Sequence, residues 1–596
     1  PRRGSKTRMT ATNRPHALAL FACSGLALLA SPAHAQVDPF AAPPAYYAGV
    51  TGTGTTLKNS LTSAMRNGHV QRSYGDFRQS AAFHDADPTS SGNILLVYNN
   101  ASVSSTWNSG VTWNREHVWP QSRQPGSASN SSRGNLGDPH ALRPCNPSIN
   151  SARGNKPFGF AATPGAHGAL GSDYFAGDLD KGDIARSLFY SATRYASNGL
   201  TLASGFPSSN QMGGLDDLVA WHYLDIPDEF ERRRNHAIFS TDLNPTYATN
   251  NRNAYVDMPG AVWSVFVDQF NDSRVYVGAA PMPDGSSTLE IDLGQSLAGM
   301  LIPPQTFTIE RQGNDGTYFA VTPVGSAVTN APLTNGFTSA FAINDASSYT
   351  YALTMPTADM MTPGMRQAEV IIDNLDMTLL GGTGRGGNAA DDTVRLLLDV
   401  RDPGTPSFDA GSTVSVADID LGTVATGTTV TLPVSLHVLG TPGMTAAILF
   451  DVASSTGDAA SLDLDLPPTL VEEGTPLMLS VDIDGTGAAS ATYTIGVQDA
   501  PSVLGASVRS SITLNIDAMI VAACTGDIAD GFGFPAPDGI VDFGDFLALL
   551  TLLGPCPGGT PGCTGDIADG FGFPAPDGIV DFGDFLALLT LLGPCQ

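Results

Sequence analysis

Net negative charge is concentrated in one half of this chain, and that asymmetry limits its fold more than any other feature. Residues 36–275 hold 18 Lys/Arg and 20 Asp/Glu, whereas residues 276–596 hold six and 37. No lysine follows Lys181. A single core does not partition charge in this way, and at roughly 150 residues per domain a 596-residue chain calls for about four domains. Apolar residues make up 42% and charged residues only 14%, which excludes a disordered chain, and there is no Gly-X-Y period to build a collagen helix. The net charge of −28 would exclude a nucleic-acid partner only if it were evenly spread. The near-neutral first half, with arginines to spare, can still meet a polyanion.

The remaining basic residues are five in residues 1–35, with no acid. Met9, Arg14, an apolar run over 17–30 and Ala33-His34-Ala35 before Gln36 predict a secretory signal peptide over 1–35. The protein is therefore expected to be secreted or cell-surface associated. The apolar run contains Ser24 and Gly25 and is shorter than the roughly 20 residues a membrane span needs. No later stretch is long enough to span a bilayer.

Four of the six cysteines lie in a tandem duplication, CTGDIADGFGFPAPDGIVDFGDFLALLTLLGPC at 524–556 and again at 563–595. In an oxidising compartment the symmetric expectation is one bridge within each copy, Cys524–Cys556 and Cys563–Cys595, with Cys145 left as a free, buried thiol. Each copy spaces its carboxylates like the second half of a calcium loop: Asp538, the turn glycine Gly539, then Asp542 and Asp545, with Asp527 upstream. Asp566, Asp577, Asp581 and Asp584 repeat the set. An apolar helix-like run over 543–553 and 582–592 follows each loop. This pattern resembles dockerin modules, which implies Ca²⁺ in both repeats and docking to a cohesin-like or cell-surface partner. An insertion of about seven residues over 531–537 departs from that resemblance.

Between the two extremes the periodicity changes. Helical spacing is readable over 183–195, where Ile184, Leu188 and Ala192 share a face, and over 216–223. A Pro/Gly/Ser-rich linker covers 279–288. Beyond it, alternation such as Val430, Leu432, Val434, Leu436 and Val438 marks half-buried strands. Ile291-Asp292-Leu293-Gly294 recurs as Ile419-Asp420-Leu421-Gly422, so two related β modules are expected. They resemble the Ig-like modules of exported bacterial proteins and are read as spacers.

The chemistry is concentrated over 113–159, in WNREHVWPQS and GDPHALRPCNPSINSARGNKPFG. Glu116 and His117 are adjacent, and Asn150 and Arg153 fall on one face of a candidate helix. A carboxylate with an amide oxygen suits a hard cation such as Mg²⁺, and a neutral histidine beside it can accept a proton from water. Together with Asp138-x-His140, Asn150-x-x-Arg153-Gly154-Asn155, Asp183-Ile184-Ala185-Arg186, Arg234-Asn235 and Asn251-Arg252-Asn253, this stretch resembles the bacterial endonuclease I family of secreted or periplasmic ββα-metal nucleases.

The resemblance implies one Mg²⁺ held by Glu116 and Asn150, with His117 as general base; on chemical grounds His140 is read as orienting the site through hydrogen bonds and Arg153 or a neighbour as neutralising phosphate. It also implies cleavage of DNA, and often RNA, with little sequence preference and 5′-phosphate products. Two departures stand out. His140 is followed by Ala141 where the family usually has Asn, and Arg123, Arg133 and Arg143 all compete for the phosphate-contacting arginine. The other histidines, among them His69, His84, His167, His222, His236 and His437, are assigned no role, and Trp113 and Trp119 are expected in the core. Arg232, Arg233 and Arg234 read equally as a phosphate patch and as a solvated helix face with one buried pair.

The expected architecture is multidomain. A signal peptide (1–35) precedes an α+β (ββα-metal) nuclease domain (36–278), two all-β Ig-like sandwich modules (285–402 and 412–521) and a small disulfide-bridged dockerin/EF-hand-like helical tail (524–556 and 563–596). The rival reading is a calcium-dependent adhesion or scaffold protein carrying a degenerate nuclease domain.

Overall fold

The computed structural model describes residues 38–159, 165–267, 270–278, 286–376, 391–522, 525–535, 537, 539–557 and 563–594. The expected signal peptide, Cys524, Asp538, Cys595 and most of the 279–288 linker lie outside them.

The first domain is mostly helical around a small two-stranded hairpin. The helix expected over 183–195 runs Lys181–Arg194 and is buried along nearly its whole length, so it forms the axis of the domain. Helices Gly54–Arg66, Leu215–Leu224 and Ala254–Asp257 pack on it. Trp119, Ile184, Leu188, Phe189, Trp221 and Tyr255 lie in one apolar core. Trp113 is equally buried in a second, smaller cluster with Phe77 and Leu142.

Each β module is a pair of sheets enclosing its own core. In the first, Thr288–Leu297 pairs parallel with Asp392–Arg401; in the second, Val416–Ala425 pairs parallel with Ile512–Val521. The repeated Ile-Asp-Leu-Gly motif shifts the register in both, between Asp292 and Gln295 and between Asp420 and Thr423. In each case the aspartate accepts from the glycine N–H at 2.8 Å, and the glycine (φ 70° at Gly294, 65° at Gly422) adopts a left-handed conformation that other residues resist. The sequence repeat is thus a repeated β-bulge.

The modules are not beads on a string. Tyr318, Ala320, Phe337, Ala340, Ala342 and Leu375 of the first sandwich belong to the nuclease core itself. Tyr318 donates its hydroxyl to the His222 carbonyl at 2.6 Å, and Tyr223 donates to the buried Asp376 at 3.0 Å. A Cβ on Gly316 would lie 2.4 Å from the Tyr223 ring, so only glycine lets the sandwich approach this closely. The two sandwiches are joined by backbone pairing, Leu297 N to Leu504 O at 2.9 Å and Leu504 N to Gln295 O at 2.8 Å.

The tail corrects one expectation. The repeats do not close on themselves: Ile540–Val541 of the first pairs with Gly593–Pro594 of the second, and Gly554–Pro555 pairs with Ile579–Val580. Val541, Leu549, Val580 and Leu588 then form one shared core. This exchange places the end of repeat one against the start of repeat two, and the bridge that forms is Cys556–Cys563. The expected pairings Cys524–Cys556 and Cys563–Cys595 are therefore replaced, because cross-repeat strand pairing sets which sulfurs meet. Cys145 is free and buried.

Candidate active site

The site is a hairpin backed by a helix. Strand Asn114–His117 pairs antiparallel with Leu142–Cys145, placing Glu116 opposite Arg143 and His117 opposite Leu142. Asn146 then caps helix Pro147–Arg153, its side chain accepting from Ser148 N at 2.9 Å, with Pro147 in the first turn where a missing N–H costs nothing. Gly154 ends the helix at φ 60°.

This short helix lies against the first strand and sets both metal-type groups. Asn150 donates Nδ2 to Asn114 Oδ1 at 2.8 Å, which fixes the amide and turns its Oδ1 into the acceptor left over. Arg153 is fully buried: Nη1 reaches Glu116 Oε1 at 3.0 Å and His117 O at 2.9 Å, and Nη2 reaches Val118 O at 2.6 Å. The phosphate-neutralising role expected of Arg153 is thus corrected. With no exposed surface and both Nη groups bonded to the strand, it positions Glu116 and the His117 and Val118 carbonyls.

Glu116 is 2% exposed, and burial pushes its carboxyl up, opposed by the Arg153 guanidinium and the Tyr98 hydroxyl, which donates to Oε1 at 2.8 Å. Its Oε2 has no hydrogen-bond partner among the described residues. Tyr98 was not legible in the sequence. It sits at φ 75°, a conformation that bulky residues resist, and its N–H is held by Asp180 Oδ2 at 2.8 Å. Val97 N, bonded to Pro144 O at 2.9 Å, docks this segment on the hairpin.

His117 has a defined tautomer. A carbonyl can only accept, so the contact between Nε2 and Leu136 O at 3.0 Å makes Nε2 the protonated nitrogen of the neutral ring and leaves Nδ1 as the acceptor. The ring stacks on Tyr74, centroids 4.8 Å apart, and the Arg115 guanidinium lies 3.6 Å from the Tyr74 centroid. Burial, with Arg115 and Arg153 nearby, lowers the imidazole to about 4, so it is neutral at neutral pH.

His140 lies behind the strands. It is buried, takes Asp138 Oδ1 on its N–H at 2.9 Å, donates Nε2 to Asn251 O at 3.2 Å and packs on Tyr190. Its neighbour Ala141 accepts from Val118 N at 3.1 Å, so this turn holds the strand that carries His117.

The other motif residues build a buried ionic frame. Asp85 takes Arg234 at 2.7 Å and Arg143 at 3.3 Å; Arg143 also reaches Asp183 at 3.0 Å; Arg186 reaches Glu231 at 2.6 Å. Arg143 is therefore not the phosphate contact. Asn235 and Asn253 bond reciprocally, at 2.7 and 3.1 Å. The Arg232–Arg234 run resolves as one buried arginine, Arg234, and two part-buried ones, Arg232 on Asp38 and Arg233 on the Ala86 carbonyl.

In the tail the described aspartates expected to bind calcium accept from backbone N–H groups. Asp527 accepts from Gly539, Asp566 from Asp577 and Gly578, and Asp577 from Ile579. Asp542 and Asp581 cap helices Phe543–Leu552 and Phe582–Leu591. Asp545 and Asp584 are buried, each closing its loop through two further N–H groups.

Residues 53–260 match the endonuclease I family model. The extracellular ribonuclease of Bacillus amyloliquefaciens is 34% identical over 268 residues, covering 42% of this chain and 87% of that protein. The extracellular ribonuclease of Bacillus subtilis (strain 168) is 35% identical over 239 residues, covering 38% and 79%. A solved structure of mouse clustered PcdhgC3 EC1-3 is 13% identical with a TM-score of 0.23, covering 42% of this chain and 69% of its own, too remote to define the sandwiches further. No helix among the described residues is long and apolar enough to cross a membrane. The matched segment contains the hairpin, the helix and the ionic frame, and the chain belongs to the endonuclease I family, with a nuclease domain at its N-terminal end.

Proposed function

We propose that this protein is a secreted, Mg²⁺-dependent endonuclease that hydrolyses RNA and DNA with little sequence preference and leaves 5′-phosphates. The observation that carries the reading is the tautomer of His117: with Nε2 donating to Leu136 O, the neutral ring offers Nδ1 as an acceptor on the strand that also carries Glu116. RNA is included because both Bacillus relatives are named extracellular ribonucleases, which also favours secretion.

The donor set suits Mg²⁺. Glu116 Oε2 and Asn150 Oδ1 are hard oxygens left over after the protein has engaged their partner atoms. When bound there, Mg²⁺ would supply Lewis-acid stabilisation of charge on the phosphoryl group and the leaving 3′ oxygen. Nδ1 of His117 takes the proton of a water attacking phosphorus in line, and the Leu136 carbonyl and Tyr74 ring hold the imidazole in that orientation. Arg153 and Tyr98 keep Glu116 aimed.

Incubating the full chain with plasmid DNA and single-stranded RNA, in Mg²⁺ with and without chelator, tests the reading. Cleavage that stops with chelator and returns with Mg²⁺ supports it. A folded chain that cuts neither leaves the scaffold reading instead. The sandwiches are proposed as Ig-like spacers and the tail as a calcium-binding, dockerin-like docking module, on the spacing of its carboxylates. A tail that gains no thermal stability with millimolar Ca²⁺ would remove that second assignment.

A further inference from the structure

We propose that Phe206 and Arg123 form a nucleobase subsite beside the catalytic centre, which takes an unpaired base next to the scissile phosphate. The proposal deepens the nuclease reading above and rests on it.

Phe206 stands on the loop between the short strands Thr201–Ala203 and Gln211–Gly213 and is 68% exposed, while the next residue, Pro207, is buried and anchors the loop. A single exposed apolar side chain is ordinary on a protein surface. What distinguishes this one is its partner. The Arg123 guanidinium lies 5.9 Å from the Phe206 centroid. It is fixed by Nε donating to Asn155 O at 2.9 Å and by Nη1 donating to Pro207 O at 3.2 Å and Ser208 O at 3.3 Å. Nη2 has no hydrogen-bond partner among the described residues.

Three segments therefore converge on one arginine, and two come straight from the catalytic hairpin and helix. Arg123 ends the turn Gln121–Arg123, six residues past His117, and its carbonyl accepts from the buried Trp119 Nε1 at 2.8 Å. Asn155 lies two residues past Arg153, whose guanidinium holds Glu116. Arg123 and Arg153 are close enough to repel each other.

An exposed aromatic ring beside a fixed guanidinium with a spare donor is the arrangement on which bases stack and phosphates bind in single-stranded nucleic-acid sites. Bases inside a duplex are already stacked and cannot reach such a ring, so the subsite selects unpaired strands. It also separates the open arginine candidates: Arg143 is buried among carboxylates and Arg133 meets no aromatic ring among the described residues, whereas Arg123 combines a spare donor with the exposed Phe206 ring.

The test compares the full chain with Phe206→Ala and Phe206→Trp on three probes: a labelled single-stranded oligonucleotide, the same sequence as a duplex, and bis(4-nitrophenyl) phosphate, which has no base. Phe206→Ala is expected to raise KM on the single strand roughly five- to 150-fold. That loss should exceed the change on the small diester at least five-fold, and Phe206→Trp should restore binding. Equal thermal midpoints would establish that both variants fold. A single-strand KM within two-fold of wild type, or an equal loss on the small diester, overturns the subsite while leaving the nuclease reading standing. A wild-type chain that cleaves none of the probes in Mg²⁺ overturns both.

Discussion

In the nuclease domain Arg143, Arg153, Arg186, Arg234 and Arg252 are all at or below 6% exposed, and each meets a buried carboxylate. In the sandwiches most ion pairs are more open to solvent, as where Arg395 meets Glu290 and Glu369, although Asp499 beneath Arg509 is buried. The first arrangement braces the elements around the hairpin that carries Glu116 and His117; the second leaves its pairs within reach of water. A buried pair is destabilising to break because the orphaned charge stays in a low dielectric, whereas an exposed pair is replaced by water. Charge in this protein therefore does two different jobs, and local depth decides which.

The largest effect expected is chemical. His117→Ala should lower turnover by roughly 10² to 10⁴, far more than the fall in thermal midpoint from losing the Leu136 bond and the Tyr74 stack would account for. Glu116→Ala or Asn150→Ala should instead recover part of the lost activity as Mg²⁺ is raised. A His117→Ala variant that stays fully active would show that buried charge around the hairpin serves stability alone.

Next comes the seam between the two regions. Residues 36–273, which stop before the strand Arg274–Val277 that belongs to the sandwich sheet, expose the surface covered by Tyr318 and Phe337, a loss on the order of 3–6 kcal/mol if each buried aromatic is worth about 1.5–3. A 36–402 fragment should melt well above a 36–273 fragment by calorimetry. Equal midpoints would mean that the shared core contributes nothing. Of similar size, Arg153→Ala should cost about 3–5 kcal/mol in urea unfolding by leaving Glu116 unpaired.

The seam should also titrate. Burial raises the Asp376 carboxyl to about 7, so the folded state holds a proton that the unfolded chain gives up near pH 4. Stability from this group is full below pH 4 and declines as pH rises to about 7, where the decline ends. Asp376→Asn should flatten that part of the difference in urea midpoint between pH 5 and pH 7. An unchanged slope would place the pH dependence elsewhere. Smallest of all, Arg395→Ala in the sandwich should leave the thermal midpoint unmoved; a clear drop would break the contrast between buried and displayed charge.

Much of this could be read before any fold was known. The EH pair, the Asn-x-x-Arg-Gly-Asn run and the matching elements downstream are local strings, and local strings are enough to show a family. Period-two alternation around Val430–Val438 marked a strand, and the apolar runs of the tail marked helices Phe543–Leu552 and Phe582–Leu591, because side-chain direction repeats with the backbone itself.

Other features could not be read in this way. Which nitrogen of His117 is free depends on the Leu136 carbonyl, 19 residues away, and the aim of Glu116 depends on Tyr98, 18 residues earlier. That Arg153 supports the strand and not the phosphate depends on which way its helix packs. The cysteine pairing depends on strand exchange between two copies that are identical in sequence and so carry no signal of which copy closes which. The amino-acid sequence by itself determined the family, the kinds of element and the chemistry available at each position. Only the tertiary structure decided which of those groups are buried together, because burial and hydrogen bonding between distant segments set the tautomer, the charge state and the orientation on which the chemistry rests.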